Sequence, residues 1–232
     1  ILADPSVEAV GLFTGPDGRA DLIRSIIRAG KHVMTTKPLE VDAAAALAVL
    51  REARERNRAV HLNSPAPLPE PETQQIIEWT REFDLGRPIS LHWETYADYF
   101  DEADGSWYDD PERCPVAPIF RLGIYGINKA VRLCGPVAQV NVVSSRIRTG
   151  RPTADNAMMS LLFRNGVVGS IHASFCVKSD YPYPDNLTLN YERGTVTTAP
   201  SAVNRFGTCG RKVLLKVLGE DGQVVVREAS FG

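Results

Sequence analysis

The stretch HVMTTKPLEVD, residues 32–42, joins a short apolar run to an alanine-rich segment. The apolar run predicts a strand. Lys37 and Pro38 end it, because proline has no backbone N–H to donate to a sheet. Asp42 is a preferred helix N-cap residue and precedes AAAALAVLREARER, so a helix is predicted over 43–56. The junction therefore predicts a strand-to-helix connection with a cation at its corner.

The same alternation continues on both sides of this junction. VEAVGLF, residues 7–13, is a short apolar run, and the breakers TGPDG separate it from a predicted helix over 19–30. Gly30 is expected at the C-terminal cap of that helix. AVHLNS, residues 59–64, predicts a third strand. Strands and helices that alternate at this spacing predict right-handed crossovers and a parallel sheet whose strands are buried on both faces.

A proline-rich segment marks the boundary between two differently built parts. PAPLPEPE, residues 65–72, holds four prolines and predicts an extended linker. We therefore expect one domain over residues 1–66 and a second over residues 67–232.

The second part has a different hydrophobic period. Helices are predicted over 72–86 and 119–135, and from Val137 onward apolar residues alternate with a period of two. Asn165-Gly166 is a strong hairpin signal, since both residues tolerate positive φ. The predicted fold class is α/β plus α+β: a small parallel sheet is followed by an open, mainly antiparallel sheet domain with helices on one face.

Composition excludes several classes of partner. The 232 residues carry a net charge of -2 without a basic stripe, which argues against nucleic acid. No apolar run reaches the roughly 20 residues that span a bilayer, so no membrane association is expected. The four histidines lack metal-ligand spacing, and we predict no metal site. The four cysteines lack a C-x-x-C pair, which favours reduced thiols and a cytoplasmic location, although an export signal upstream of Ile1 stays open.

Ligands of parallel α/β sheets bind beyond the carboxyl ends of the strands. Three segments are expected there: TGPDGR, TTKPLE and NSPAP. Lys37 would project into their common crevice. A lysine at a strand end is more often a solvated cation, so this position alone does not name a reaction.

A family resemblance gives that position a meaning. DPSVEAVGLFTGPDGRADLIRSIIRAGKHVMTTKPLE resembles the nucleotide domain of the Gfo/Idh/MocA oxidoreductases, in which AGKHV precedes an E-K-P signature. Here the signature is Thr36-Lys37-Pro38, and FRLGIYGINKAVRLCG is similar to the family helix that usually carries D-x-x-x-H. The resemblance implies that residues 1–66 are the C-terminal part of a Rossmann-type dinucleotide-binding domain. It also implies that residues 67–232 form a substrate-binding and oligomerisation domain.

The resemblance also implies a chemistry. The cofactor would be NAD or NADP, and the substrate a sugar, a cyclitol or a related polyol. Lys37 would lie beside the nicotinamide and stabilise the alkoxide that develops as hydride leaves, while Pro38 holds the turn. The implied cofactor-binding residues are Thr14, Gly15, Pro16, Lys37, Pro38 and Asn63.

The chain departs from the family pattern on the later helix. Arg121, Tyr125 and Asn128 stand where the family has its aspartate, its histidine and a further acidic residue, and their spacing puts them on one helical face. A free tyrosine has a pKa of about 10, but the cations Lys37 and Arg121 would favour the phenolate. We expect Tyr125 to transfer the proton with help from Lys37, the alternative being an aromatic core residue. Arg121 and Asn128 are expected to bind substrate, and Arg121 is suited to clamp a carboxylate or phosphate.

Three further expectations complete the interpretation. Trp107 could stack on a sugar or nicotinamide, or simply fix its loop. Because G-x-G-x-x-G occurs nowhere in the sequence, we expect a fragment, or the ordered part, of a longer chain, which binds a dinucleotide poorly. The resemblance also implies a homodimer or homotetramer through the antiparallel sheet. The alternative function is a redox-inactive member that binds sugar-like ligands or serves assembly.

Overall fold

The computed structural model divides into two compact units, Ile1–Leu68 and Pro69–Gly232. Each unit has its own hydrophobic core. The structure describes residues 1–99, 102–179, 183–203, 209–219 and 221–231.

The first unit is a three-stranded parallel sheet with two helices. The strands are Ala9–Leu12 (β1), His32–Thr35 (β2) and Val60–Leu62 (β3), and the helices are Arg19–Arg28 (α1) and Ala43–Glu55 (α2). The strand order is β1-β2-β3, and both neighbouring pairs are parallel. This confirms the predicted alternation and the partial Rossmann-like sheet.

Within the described residues, the two helices cover one face of this sheet and leave the other face open. Ile23 and Ile27 of α1 and Val49 of α2 are fully buried and form one cluster with Val33 of β2. Two successive right-handed crossovers in one direction place both helices on the same face. The neighbouring residue Met34 points the other way and is 42% exposed. The prediction that the strands are buried on both faces is therefore wrong for these residues.

The helix ends of this unit follow local chemistry. The Asp42 carboxylate accepts the backbone N–H groups of Ala44 at 2.7 Å and Ala45 at 3.1 Å, so the predicted N-cap is confirmed. Gly30 follows α1 with φ of 79°. A side chain would be strained in that conformation, which is why glycine ends the helix.

The second unit opens with helices that flank one strand. The predicted linker ends early, because Pro71 occupies the first turn of a helix, where a missing N–H leaves no bond unmade. The single helix predicted over 119–135 is instead a π-helix followed by an α-helix that ends before Gly135. These elements are Pro71–Glu82 (α3), Pro88–Tyr96 (β4), a 3-10 turn Trp107–Asp109, the π-helix Ile119–Gly123 and Ile124–Cys134 (α4).

Seven further strands complete one large sheet around β4. The order is β11-β10-β9-β8-β4-β7-β6-β5, and every neighbouring pair is antiparallel except β4 with β7. The predicted mainly antiparallel sheet is confirmed. The strands are Val137–Ser145 (β5), Asn156–Phe163 (β6), Val168–Ser174 (β7), Asp185–Tyr191 (β8), Gly194–Val203 (β9), Cys209–Leu218 (β10) and Val224–Phe231 (β11).

The helices cover one face of the large sheet, as predicted. Leu91, Trp93 and Thr95 of β4 are buried, whereas the alternate residues of that strand are only half-buried. Trp93 contacts α4 closely, since a Cβ at Gly126 would lie 2.1 Å from the indole ring. Gly126 is thus required for the helix to approach the sheet.

No helix in the described part of the chain is long and apolar enough to cross a bilayer.

Candidate functional site

The carboxyl ends of the parallel strands meet at one edge of the first unit. Asn63, just beyond β3, donates its backbone N–H to the Thr35 carbonyl at 2.9 Å. The Thr35 hydroxyl donates to the Leu12 carbonyl at the end of β1 at 2.7 Å. These bonds hold the three strand ends together. This edge carries the six residues predicted to bind the cofactor, namely Thr14, Gly15, Pro16, Lys37, Pro38 and Asn63.

The loops at this edge combine buried prolines with more exposed polar residues. Pro16 and Pro38 are buried, Lys37 is half-buried and Thr14 is exposed. The Lys37–Pro38 peptide bond is cis, and the Thr14 hydroxyl donates to the Gly15 carbonyl at 3.0 Å. Lys37 therefore projects from a backbone whose next residue lies inside the unit.

Arg19 is the residue of this edge that the sequence analysis missed. Its side chain is 1% exposed, although it is the first residue of α1. One guanidinium nitrogen donates to the carbonyls of Thr36 and Pro38, and another donates to the Thr14 carbonyl. A cation at a helix N-terminus opposes the helix dipole. That unfavourable placement was the available signal that Arg19 has a particular role.

The carboxylate of Glu40, a residue of the loop after β2, lies at the N-terminus of α1. Its carboxylate accepts the Ala20 N–H at 2.8 Å with one oxygen and the Val41 N–H at 2.7 Å with the other. A helix N-terminus binds anions through such free N–H groups. Here a carboxylate of the chain already takes that place, which leaves α1 unsuited to hold a phosphate.

The residues present fit one part of a dinucleotide and not another. The strand-end loops supply backbone groups and a cation at the edge where α/β sheets bind ligands. A pyrophosphate needs a glycine-rich turn before a helix, and the sequence contains no G-x-G-x-x-G. Within the described residues, this edge suits the nicotinamide end of a cofactor and lacks a phosphate cradle.

In the second unit, Arg121 lies among aromatic rings. Its guanidinium carbon is 4.3 Å from the ring centre of Tyr99, 4.6 Å from Tyr108 and 5.1 Å from Phe175. Aromatic faces attract a cation at such distances. The three rings therefore orient the guanidinium of this predicted substrate-binding residue, and sequence spacing gave no sign of them.

The other predicted residues of this unit have neighbours of their own. The Trp107 ring lies 3.9 Å from the Tyr108 ring, so Trp107 supports the aromatic group beside Arg121. Tyr125, in the first turn of α4, is half-buried against the core. Asn128 accepts a hydrogen bond from Arg132 Nε at 2.5 Å, one turn later in the helix.

A buried ion network lies behind α4. Lys129 is 8% exposed, and its ammonium lies 2.9 Å from Glu70, 3.1 Å from Glu72 and 3.5 Å from Asp185. Arg211 forms a further ion pair with Asp185. Burial alone would raise the pKa of Glu72, but the Lys129 charge lowers it below its usual value. The network joins α4 to the start of α3 and to two strands.

A chain of polar side chains crosses the uncovered face of the large sheet. Glu94 accepts hydrogen bonds from the Tyr96 hydroxyl at 2.6 Å and from the Asn186 amide at 3.1 Å. His172 lies 3.1 Å from the Asn156 amide oxygen, and burial lowers the pKa of this histidine. Burial and the bond to Glu94 raise the pKa of Tyr96.

Metal and disulfide chemistry find no support in the described ranges. No group of three or more His, Cys, Asp or Glu residues there could hold a metal ion. Cys114, Cys134 and Cys176 are free thiols, and burial raises the pKa of Cys114 and Cys134 to about 12.

Known families match both units. Residues 73–197 match the GFO/IDH/MocA C-terminal domain, and residues 1–64 match an oxidoreductase family model described as an NAD-binding Rossmann fold. This chain belongs to the GFO/IDH/MocA family. The resemblance predicted from AGKHVMTTKP is confirmed, and the Rossmann match includes all six predicted cofactor-binding residues.

Individual relatives of this GFO/IDH/MocA chain are distant. An uncharacterized oxidoreductase of Schizosaccharomyces pombe is 28% identical over 139 residues, which cover 58% of this chain and 36% of that protein. Levoglucosan dehydrogenase, solved with NADH and L-sorbose, is 18% identical with a TM-score of 0.77. A Klebsiella pneumoniae NAD binding oxidoreductase also has 18% identity and a TM-score of 0.77.

These two likenesses show that the chain shares the fold of both proteins. Each match covers 100% of this chain and 62% of the solved chain. An Agrobacterium radiobacter oxidoreductase, solved with NAD+, L-tartaric acid and magnesium, has 16% identity, a TM-score of 0.73 and 64% of its length covered. The chain thus spans less than two thirds of the relatives it resembles.

Proposed function

We propose that the whole protein is an NAD(P)-dependent oxidoreductase that transfers hydride between a nicotinamide cofactor and a CH-OH group of a sugar, cyclitol or related polyol. The observation that carries the proposal is the strand-end site of the first unit, where Arg19 binds the carbonyls of the residues before and after Lys37. The family's NAD-binding Rossmann match over residues 1–64 supports it.

In this proposal the strand-end loops hold the nicotinamide end of the cofactor, which supplies or accepts the hydride when bound. The Lys37 ammonium then binds the substrate oxygen and stabilises the negative charge that develops on it. A cation that is already held in place reorganises little during the reaction, which is what makes such stabilisation effective. The residues that would hold the cofactor are Thr14, Gly15, Pro16, Lys37, Pro38 and Asn63.

The second unit is proposed to supply proton transfer and substrate recognition. Tyr125 would take the hydroxyl proton, and Arg121 would present its ring-oriented guanidinium to the substrate. A carboxylate or phosphate on the sugar would suit the fork of Arg121. Asn128 and Trp107 are the further substrate-binding candidates, and the Trp107 ring lies against that of Tyr108.

Removal of the Tyr125 hydroxyl tests the proton-transfer role. Tyr125→Phe should lower kcat about 10²–10⁴-fold, the usual contribution of a general acid-base residue. The matched control is Tyr191→Phe, because the Tyr191 hydroxyl bonds Thr80 within the core at 2.9 Å. The control should keep full turnover. Steady-state kinetics of the whole enzyme with a panel of polyols measure kcat of both variants. Full turnover by Tyr125→Phe would contradict the proton-transfer role.

Cofactor titration tests the division of the dinucleotide site. The 232-residue chain alone should bind NAD(H) weakly, because its described residues supply no phosphate cradle. Isothermal titration calorimetry measures the affinity. A submicromolar dissociation constant for this chain would contradict the proposal.

A second function is favoured by one observation: Arg121 and Tyr125 stand at the positions of the family's aspartate and histidine. We infer from this an alternative function, in which the protein is a redox-inactive member of the family that binds sugar-like ligands or serves assembly. One assay distinguishes the oxidoreductase from this alternative. Polyol binding without any oxidation or reduction of a nicotinamide by the whole protein supports the alternative.

Assembly and compartment complete the proposal. We propose a homodimer or homotetramer formed through the uncovered sheet face, supported by the exposed apolar residues Leu162, Val168 and Val226 on that face. The free thiols of Cys114, Cys134 and Cys176 support a reducing, cytoplasmic compartment.

A further inference from the structure

Arg19 connects the backbone on both sides of Lys37 to the neighbouring loop. It binds the carbonyls of Thr36 and Pro38, which flank the lysine, and the carbonyl of Thr14 in the loop after β1. Glu40 fixes the same loop a second time through the Ala20 N–H at 2.8 Å. The start of α1 thus holds the Lys37 segment at points before and after the lysine.

Arginine is suited to this arrangement for a physical reason. A buried cation loses its hydration and persists only where fixed acceptors replace the water. The planar guanidinium directs its donors in a rigid fork and can serve three carbonyls from separate directions. Lysine has its donors on a single nitrogen, and glutamine has only two. The spread of the acceptors over two loops therefore suits the fork of an arginine.

We propose that Arg19 is a positioning residue for the reaction, one that fixes the backbone from which the Lys37 ammonium projects. The inference rests on the proposed function, because Lys37 must act on the substrate for its placement to affect turnover. Arg19 donates to the backbone carbonyls on both sides of Lys37, so its effect on turnover passes through the placement of Lys37. A displacement of about 1 Å at a reacting group can cost about 100-fold in rate.

A buried cation at the other end of the same sheet provides the control. Lys31 is 4% exposed and donates to the carbonyls of Asp4 at 2.6 Å and Val7 at 2.7 Å. It shares the chemistry of Arg19, a buried charge bound to backbone oxygens. It lies before β2, whereas Lys37 follows that strand.

Hydrogen exchange measures the positioning without any turnover. In Arg19→Lys, amide exchange over residues 36–41 should rise at least tenfold, while exchange over α2 stays unchanged. Lys31→Met should raise exchange over residues 4–8 and leave 36–41 as in the wild type. A uniform rise over the whole first unit in Arg19→Lys would overturn the inference, since Arg19 would then be a general stabiliser.

Kinetics of the whole enzyme complete the test. Arg19→Lys should lower kcat about 10- to 100-fold with KM changed less than about threefold, and Lys31→Met should leave kcat unchanged. Unchanged kcat in Arg19→Lys, with faster exchange over 36–41, would overturn the positioning role. Full turnover by Lys37→Met would instead overturn the proposed function, and this outcome is distinct because it leaves the exchange pattern of Arg19→Lys as expected.

Discussion

At the residue scale, buried charges are the least expected feature of this chain. Arg19 and Lys129 are both nearly inaccessible, yet each has several acceptors around it. A buried charge contributes to stability only while its partners remain, because desolvation is not repaid otherwise. The two sites differ in their acceptors, which are neutral carbonyls around Arg19 and carboxylates around Lys129.

Removal of the Lys129 charge should destabilise the second unit. Lys129→Met leaves Glu72 and Asp185 buried without the ammonium, and loss of one partner of such a network costs about 3–5 kcal/mol. Urea unfolding followed by tryptophan fluorescence measures this, since all three tryptophans lie in the second unit.

An exposed ion pair gives the control for Lys129. Lys212 pairs with Glu228 at 2.9 Å, and both side chains are about half exposed. Lys212→Met should change the unfolding free energy by less than about 1 kcal/mol. Equal stability of the two variants would refute the importance of the buried network.

Local chemistry explains which residues could be assigned from sequence. Asp42 was identified as a helix cap because the N–H groups that donate to its carboxylate lie two and three residues further along. Arg19 and Lys129 were not, because partners such as Thr36, 17 positions from Arg19, and Glu72, 57 positions from Lys129, belong to other elements of the fold. The ring group around Arg121 has the same origin, since Tyr99 and Phe175 belong to distant segments.

At the element scale, α1 and α2 of the first unit are joined by one carboxylate. Glu52 of α2 pairs with Arg28 of α1 at 2.6 Å and with Arg24 at 3.2 Å, as well as with Arg56 at 2.9 Å. The hydrogen bond from Arg28, ahead of that from Arg56, lowers the pKa of Glu52 from 4.5 to about 2. The pair of helices thus has a pH-sensitive connection.

The pH dependence of that connection has a definite sign. Because the folded state lowers the pKa of Glu52, its stabilisation is complete above about pH 4.5 and is lost as the pH falls through about 2. Glu52→Gln should therefore lower the thermal midpoint of the first unit at pH 7. The midpoint of this variant should also fall less steeply than that of the wild type between about pH 5 and about pH 2. Thermal unfolding followed by circular dichroism at each pH measures the midpoint.

The control for Glu52 lies on the same helix. Glu55 is exposed at the end of α2, and Glu55→Gln should keep the wild-type pH profile. High salt should weaken the Glu52 effect by screening. An identical acid profile for Glu52→Gln and the wild type would show that the carboxylate does not connect the helices.

The element types were largely predictable and one arrangement was not. Hydrophobic period and cap residues gave the strands, the helices and the hairpin at Asn165-Gly166, although only Gly166 adopts positive φ. The Asn165 side chain instead donates to the Cys134 carbonyl at 2.9 Å. The π-helix over Ile119–Gly123 and the parallel pairing of β4 with β7 carry no local sequence signal, because each depends on distant partners.

At the scale of the whole molecule, the elements that the structure describes leave one face of the large sheet open. Leu162 and Val168 are neighbours on β6 and β7, and they are 40% and 54% exposed. Apolar residues of this kind on an uncovered sheet mark an association surface. The face also carries the Glu94–Tyr96 hydrogen bond near its centre.

A charge on that face should disrupt assembly. Leu162→Lys should shift the protein from dimer or tetramer to monomer in sedimentation velocity, because the ammonium would be desolvated at the interface. The control is Val140→Lys: Val140 pairs with buried Leu161 and therefore lies on the opposite face, where it is 52% exposed. A monomeric wild type at micromolar concentration would remove the basis of this prediction.

The central position of β4 has a consequence for biosynthesis. This strand is made first among the eight, yet its neighbours in the sheet are β7 and β8, which begin about 70 and 90 residues after β4 ends. At a translation speed of about 5–20 residues per second, β4 waits several seconds on the ribosome before a partner emerges. During that interval a strand with an apolar face and both edges open is exposed to other nascent chains. Chaperone occupancy during synthesis should therefore begin once Pro88–Tyr96 leaves the exit tunnel and end after β8 has followed.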